Sequence, residues 1–140
     1  MKDKLVIVLN NKERTYVDDK IMTNKLVIVL TTGRDDPEIA STAVAIAISA
    51  LMFDKEVVIV LQGKAINLVR KNFLGKISFP PFDPLANLIA TYQEEGGRII
   101  ACNPGIEGYH VSREDIIDKV EVAGGATFIS EIEDAQVITY

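Results

Sequence analysis

Short runs of branched apolar residues recur along this chain and are separated by segments with helix-starting or turn signals. Three of these runs, Lys25–Leu30, Glu56–Leu61 and Arg98–Ala101, are apolar at every position after a charged first residue. Strands that are apolar on both faces are typical of parallel sheets covered by helices on both sides. Because the runs alternate with helical patterns, the sequence predicts an α/β domain. We expect a three-layer α/β/α sandwich around a mostly parallel sheet of roughly five strands.

The helix predicted after the first of these strands is apolar on nearly every side. Asp36 and Pro37 have the chemistry of a cap and a first helical position, and the following stretch Ile39–Phe53 contains no charged residue. Such a helix is buried against the sheet on one side and against something else on the other. Because an uncovered remainder would leave a large apolar patch, we predict a homo-oligomer. The sequence does not distinguish a dimer, a trimer and a hexamer.

The remaining elements follow the same alternation. Asp83 and Pro84 predict the start of a second, amphipathic helix, in which Leu85, Leu88, Ile89 and Tyr92 recur at helical spacing. Val120–Val122 and Ala135–Thr139 predict two further strands, and Gly124-Gly125 turns into a helix between them.

The phrase KLVIVL occurs twice, at Lys4–Leu9 and again at Lys25–Leu30. Only the second copy leads into a strand–loop–helix unit, whereas the first is followed by turn-forming residues and a candidate return strand, Arg14–Val17. The sequence therefore predicts an N-terminal extension over residues 1–21, folded as a β-hairpin, and one α/β domain over residues 22–140.

Charge and hydropathy exclude two classes of partner. The formal net charge of −5 argues against a nucleic-acid binder, which needs a phosphate-neutralising basic surface. The longest mostly apolar stretch, Ala43–Phe53, is well short of the roughly 20 residues that span a bilayer. The apolar run near the N-terminus is also too short for a secretory signal. We expect a cytoplasmic protein with no membrane insertion.

The only cysteine, Cys102, and the only histidine, His110, lie in one stretch after the third strand. Ligands of open α/β sheets bind beyond the carboxyl ends of the strands, where the loops Thr31–Asp36, Gln62–Lys64 and Cys102–Val111 should meet. Cys102 is the candidate reactive residue. The candidate substrate- or anion-binding residues of these loops are Thr32, Gly33, Arg34, Gly63, Asn103, Gly105 and His110.

Two interpretations of Cys102 remain open on the residues alone. Free cysteines are often simply buried, which would leave an inert thiol in a nucleotide- or anion-binding module or in an assembly subunit. A reactive thiolate would instead be favoured by a nearby cation, for which Arg34, Lys64, Arg113 and His110 are candidates. The spacing of Cys102, Glu107 and His110 matches no zinc pattern, and neither GxGxxG nor GxxxxGK[ST] occurs. We therefore predict no metal and no cofactor.

Two long segments resemble the DsrE/DsrF-like family of sulfur-relay proteins, of the DsrE/TusD type. They are KLVIVLTTGRDDPEIASTAVAIAISALMFDKEVVIVLQG and GGRIIACNPGIEGYHVSREDIIDKVEVAGGATFISEIEDAQVITY. Shared features are the small-residue helix after Thr31-Thr32-Gly33, the cysteine that ends the third strand, and the segment Glu114–Phe128. The resemblance covers residues 24–140. The second segment is most similar to a DsrE-related branch often named peroxiredoxin-like.

The resemblance implies a flavodoxin/Rossmann-like α/β/α fold, a homo-oligomer, and a cysteine that carries sulfane sulfur as a persulfide or thiosulfonate. Cys102 matches the position of that cysteine. The resemblance also implies a protein partner similar to the small TusA-like sulfur carriers. The Thr-x-x-Cys motif of peroxide-reducing cysteines is absent, since Ile99 stands three residues before Cys102. A sulfurtransferase or sulfur carrier is therefore the expected activity.

Overall fold

The computed structural model describes residues 5–9, 11–17 and 20–140. An antiparallel sheet comes first, with strands β1 (Leu5–Leu9), β2 (Lys12–Val17) and β3 (Lys20–Met22) in that order. β1 and β2 pair antiparallel, with Leu5 opposite Tyr16. The predicted hairpin spans residues 1–21, of which residues 1–4, 10, 18 and 19 lie outside the described part. The third strand, β3, was not predicted.

The rest of the chain alternates strands and helices around a second sheet. Its five strands are all parallel and lie in the order β7-β6-β5-β4-β8. The elements are β4 (Lys25–Leu30), α1 (Pro37–Met52), β5 (Glu56–Leu61), α2 (Leu85–Glu94), β6 (Arg98–Cys102), α3 (Asn103–Gly108), β7 (Val120–Ala123), α4 (Gly125–Ile132) and β8 (Gln136–Thr139). This arrangement confirms the predicted fold class.

Alternate residues of the parallel strands face opposite sides of the sheet, and both sides are covered. The first apolar cluster joins Leu26, Ile28 and Ile59 to buried residues of α1 and α2. The second apolar cluster consists of the buried residues Val27, Val29, Val58, Val60 and Ile100, against which Phe128 and Ile132 of α4 pack. The sheet is therefore the middle layer of three.

The predicted starts of the two long helices have different outcomes. Asp36 caps α1 as predicted, since its carboxylate accepts the backbone N–H of Ile39 at 3.1 Å and Pro37 occupies the first position. The predicted cap of α2 is wrong, because Pro84 occupies the capping position and no side chain caps the helix. Asp83 is exposed one residue earlier.

α1 is buried along one side only. Its buried residues are Ala40, Ser41, Ala43, Val44 and Ala47. Toward its end, Met52 and the adjoining Phe53 have relative exposures of 78% and 79%. The uncharged helix predicted from the sequence therefore leaves a second apolar side uncovered by this chain.

A cluster of charged side chains joins α4 and four strands at the edge opposite the strand carboxyl ends. Glu131 accepts Lys25 Nζ of β4 at 2.5 Å and Arg98 Nη2 of β6 at 2.8 Å. Arg98 also lies 3.0 Å from a carboxylate oxygen of Glu121 on β7 and 3.8 Å from one of Glu56. Because these hydrogen bonds from Arg98, and then from Lys25, favour the ionised carboxylate, the pKa of Glu131 falls from 4.5 to about 2.

Glu131→Gln is expected to lower the free energy of unfolding by about 1–3 kcal/mol at neutral pH, since the hydrogen bonds it weakens are charge-assisted. A carboxylate with a depressed folded-state pKa stabilises the fold above its ordinary value of 4.5 and loses that contribution as the pH falls toward 2. The difference between wild type and variant should therefore shrink across this window in urea denaturation. Glu114→Gln removes the same charge from an exposed position and serves as the control. A difference that does not depend on pH would contradict the assignment.

No helix in the part of the chain that the structure describes has the length and apolar character needed to cross a membrane.

Candidate functional site

Cys102 is the last residue of β6 and also the capping position of α3. It is a free thiol of intermediate exposure, and its side chain packs partly against both apolar clusters. Its partner on the adjacent strand is Ala123, the last residue of β7. The strand anchors the backbone of Cys102, while its position at the strand's carboxyl end leaves part of the side chain reachable.

The stretch after Cys102 is helical where the sequence predicted a loop. Asn103–Gly108 forms α3, with Pro104 in the first turn, where its missing N–H is tolerated. The side-chain amide of Asn103 donates to Glu107 Oε1 at 3.0 Å. A Cβ on Gly105 would lie 2.6 Å from Cγ1 of Ile66. Gly105 therefore lets α3 lie directly against the 3₁₀-helix Gly63–Val69.

The other two predicted loops, Thr31–Asp36 and Gln62–Lys64, lie next to each other, as the fold predicts. The backbone N–H of Gly33 donates to Asp35 Oδ1 at 2.9 Å, and Asp35 Oδ2 lies 3.9 Å from Lys64 Nζ. Gly63 has a positive φ of 56°, and a Cβ there would lie 3.5 Å from the carbonyl oxygen of Thr31. These two loops thus form one continuous surface.

Arg34, Lys64 and the hydroxyl of Thr32 are polar groups of this surface, and each has a different environment. The guanidinium of Arg34 lies over the ring of Phe73, 5.9 Å from its centroid, which is a cation–π contact. The hydroxyl oxygen of Thr32 is buried and has no hydrogen-bond partner among the described residues. The cationic groups of Arg34 and Lys64 contact Phe73 and Asp35, respectively.

His110 lies beyond the far end of α3 from Cys102. The helix between them has six residues, which corresponds to a length of about 9 Å. His110 is exposed and has a positive φ of 55°. The preceding carbonyl, of Tyr109, accepts Arg70 Nη2 at 2.6 Å. His110 is therefore separated from the thiol, and no three His, Cys, Asp or Glu side chains among residues 5–9, 11–17 and 20–140 are grouped to hold a metal ion.

Sequence reasoning missed two residues beside the thiol, Gly124 and Gly125. They directly follow Ala123. Gly124 has a φ of −94° and Gly125 is the first residue of α4, and neither has a positive φ. Both backbone conformations are therefore open to residues other than glycine. A Cβ at either position would meet nothing within 4 Å. Neither backbone conformation nor internal packing therefore requires glycine here. The consecutive glycines in the sequence were the available signal, but they were interpreted only as a turn.

Small residues follow the carboxyl end of β7, the strand next to β6. Cys102 has intermediate exposure, and its strand neighbour Ala123 is followed by Gly124, Gly125 and Ala126, so this stretch carries at most methyl side chains. Such a surface allows a second main chain or a small sulfur compound to approach closely. The site therefore combines one partly exposed thiol with a neighbouring stretch of small residues.

A family profile and a known protein each match most of this chain. A family profile described as DsrE/DsrF-like matches residues 24–140. The uncharacterised protein MJ0760 of Methanocaldococcus jannaschii is 25% identical over 114 residues, which are 81% of this chain and 42% of that protein. The chain thus spans about two fifths of the length of this relative.

Three solved structures superimpose on most of the chain. The YchN protein of E. coli has a TM-score of 0.68 at 13% identity, over 85% of this chain and 100% of that one. BT1422 of Bacteroides thetaiotaomicron has a TM-score of 0.64 at 19% identity, over 84% and 95%. MTH1491 of Methanobacterium thermoautotrophicum has a TM-score of 0.62 at 15% identity, over 83% and 98%. BT1422 and MTH1491 are described as proteins of unknown function, and identities this low speak for the fold alone. Because the family profile covers the whole α/β domain, this chain belongs to the DsrE/DsrF-like family.

Proposed function

We propose that the protein is a cytoplasmic sulfur-relay protein that accepts sulfane sulfur on Cys102 and passes it to another thiol. The observation that carries the proposal is the placement of Cys102. Cys102 has intermediate exposure at the carboxyl end of β6, and Gly124 and Gly125, which follow its strand neighbour Ala123, leave open space where side chains would stand. Membership of the DsrE/DsrF-like family suggests the same relay role.

The proposed reaction is two successive thiol exchanges. The Cys102 thiolate attacks the outer sulfur of a donor persulfide, R–S–SH, so that a new S–S bond forms and the donor S–S bond breaks. The products are the Cys102 persulfide and the donor thiolate, R–S⁻. An acceptor thiolate then attacks the terminal sulfur, and Cys102 leaves as a thiolate. No net oxidation occurs, and the rate follows the access and thiolate character of the attacking group. A thiosulfonate adduct is the second form in which Cys102 would carry sulfur.

The proposed partner is a small sulfur-carrier protein of the TusA type. Gly124 and Gly125 support a protein partner, because a surface without side chains lets another backbone come close to the end of β7, next to the strand that carries Cys102. The proposal needs one thiol on this chain and one on the partner. Cys102, the only cysteine in the sequence, supplies the thiol on this chain.

Incubation of the native protein with polysulfide is expected to add the mass of one or more sulfur atoms, located at Cys102 by peptide mapping. The adduct should disappear when a small thiol is added, and the acceptor should gain persulfide. Intact-mass spectrometry checks both steps. An unmodified native protein would refute the proposal if the urea-denatured protein labels readily, because the thiol would then be inaccessible in the fold.

We further propose that the protein works as a homo-oligomer whose contact includes the outer side of α1. Ile46, Met52 and Phe53 are exposed at 39%, 78% and 79%, and no charged residue lies between Glu38 and Asp54. Burying these side chains against a second copy would remove a large apolar area from water. Members of the DsrE/DsrF-like family are often oligomeric.

The double variant Met52→Glu/Phe53→Glu is expected to weaken self-association at least about tenfold, because two charges would be desolvated in the contact. Both positions are exposed, so the subunit should keep its fold. Sedimentation velocity should show multiples of the 15.4 kDa subunit for the wild type and a shift toward the single subunit for the variant. Thr91→Glu adds a charge at an exposed position of α2 and should leave the assembly unchanged. A wild-type protein that sediments as one subunit at micromolar concentration would contradict the proposal.

A further inference from the structure

We propose that Gly105 is a positioning residue for Cys102, acting through the close contact of α3 with the buried side chain of Ile66. The inference deepens the proposed function, on which its biological meaning rests, but it concerns the placement of the thiol and can be tested without sulfur transfer.

The contact at Gly105 is tighter than any side chain allows. A Cβ at this position would lie 2.6 Å from Cγ1 and 2.9 Å from Cδ1 of Ile66. Carbon atoms pack at about 3.5–4.0 Å, so accommodating one methyl group needs a displacement of roughly 1 Å. Ile66 is 0% exposed and belongs to the first apolar cluster, where close packing resists movement. α3 is the element that should yield.

Movement of α3 reaches the thiol directly. Cys102 is the capping residue of α3 and lies three residues before Gly105. Its backbone is shared between the last position of β6 and the first turn of the helix. A displaced helix therefore changes the backbone and side-chain orientation at Cys102. A displacement of 1 Å at a reacting atom can cost on the order of a hundredfold in rate.

The other end of α3 is tied to the same segment. Arg70 follows the 3₁₀-helix that contains Ile66, and its Nη2 donates to the carbonyl oxygen of Tyr109 at 2.6 Å. Its Nε is held by Asn67 Oδ1 at 3.0 Å. The position of α3 is thus fixed by a steric contact with Ile66 near its start and by a hydrogen bond from Arg70 at its end.

α3 contains a matched control for the substitution. Gly108 is the last residue of the helix, and a Cβ there would meet nothing within 4 Å. Neither Gly105 nor Gly108 has a positive φ, so Gly→Ala introduces the same chemical change at both positions without backbone strain. Only the contact with Ile66 differs.

The experiment measures alkylation of Cys102 by iodoacetamide as a function of pH, together with the melting temperature, for the full chain. For Gly105→Ala we expect the rate constant at neutral pH to change by about tenfold and the pH–rate profile to move. For Gly108→Ala we expect both to stay within about twofold of wild type. A Gly105→Ala profile that superimposes on the wild-type profile would overturn the proposal. An equal change in Gly108→Ala would do the same.

A compensating variant separates positioning from general damage to the fold. Ile66→Ala removes both clashing carbons and leaves only Cβ, 3.6 Å from the new methyl group. The double variant Gly105→Ala/Ile66→Ala should therefore have a pH–rate profile close to that of Ile66→Ala alone, within about threefold, although both are less stable than wild type. A profile that stays displaced in the double variant contradicts the role of this contact.

Three further outcomes are informative. If Gly105→Ala does not fold, Arg70→Ala tests the same placement from the other end of α3, and an unchanged alkylation profile would overturn the proposal. If wild type takes up no sulfur from polysulfide while the alkylation series behaves as expected, the relay function fails and the positioning role stands. If sulfur transfer and alkylation are both unaffected by Gly105→Ala, the relay function stands and the positioning role fails.

Discussion

Cys102→Ser is expected to abolish sulfur loading and sulfur transfer, with residual transfer reduced at least about a thousandfold. A serine hydroxyl is not ionised near neutral pH and does not form a persulfide. Because Cys102 is the only cysteine in the chain, no second thiol can supply a background activity. The comparison is made with persulfide-specific labelling and with transfer to an acceptor thiol. Cys102 is only partly buried, so the variant should fold like the wild type.

A relocated thiol tests whether the surroundings of Cys102 matter. Ser78 is exposed in the loop before α2, and the double variant Cys102→Ser/Ser78→Cys presents one accessible thiol far along the chain from β6. This variant is expected to load sulfur from polysulfide but to transfer it to a protein acceptor at least about tenfold more slowly than the wild type. Equal transfer from both thiols would show that any exposed cysteine is enough, and would contradict a role for the site.

The largest expected effect on stability is that of Gly97→Ala. The residue links α2 to β6, and a Cβ there would lie 2.2 Å and 2.3 Å from Cε1 and Cζ of Tyr92. The Tyr92 ring is 0% exposed, and its hydroxyl donates to the carbonyl oxygens of Val57 at 3.0 Å and Arg98 at 2.7 Å. Burial raises the pKa of Tyr92, so the phenol remains a neutral donor. The ring is held on all sides and cannot move aside.

We expect Gly97→Ala to lower the free energy of unfolding by about 3 kcal/mol, at the upper end of overpacking costs, and the melting temperature by about 10 °C. Gly75→Ala is the matched control, since a Cβ there meets nothing within 4 Å. Tyr92→Phe should cost less, about 1–2 kcal/mol, because the ring stays and only the hydroxyl is lost. Calorimetry of the three variants gives the order. Equal melting of Gly97→Ala and Gly75→Ala would refute the predicted clash.

Much of the fold was predictable from local sequence because burial and periodicity act over short distances. The apolar runs of β4, β5 and β6 have the composition of strands buried on both faces, and they form the centre of the sheet. The cap at Asp36 was predictable for the same reason, since a carboxylate, a proline and the first N–H groups are neighbours in the chain. The uncharged stretch after it predicted a helix with two apolar sides.

Other features depended on partners that are remote in sequence. Pro104, Gly105 and Gly108 predicted a loop, yet residues Asn103–Gly108 form the helix α3. This helix packs closely against Ile66 at Gly105. Asp83 is a residue type that often caps helices, but the capping position of α2 is occupied by Pro84. Arg34 was a candidate anion ligand and Lys64 a candidate cation near the thiol, and the folded chain gives them Phe73 and Asp35 as partners.

The sequence by itself determined the fold class and the position of Cys102 at the carboxyl end of a central strand, because the apolar pattern of β6 ends at that residue. Tertiary structure decided what surrounds the thiol. It placed α3 rather than a loop after Cys102, Ala123 and two glycines beside it, and His110 at the far end of the helix. The physical reason is that strand burial is encoded in consecutive residues, whereas the surroundings of Cys102 come from segments joined only by sheet pairing and core packing.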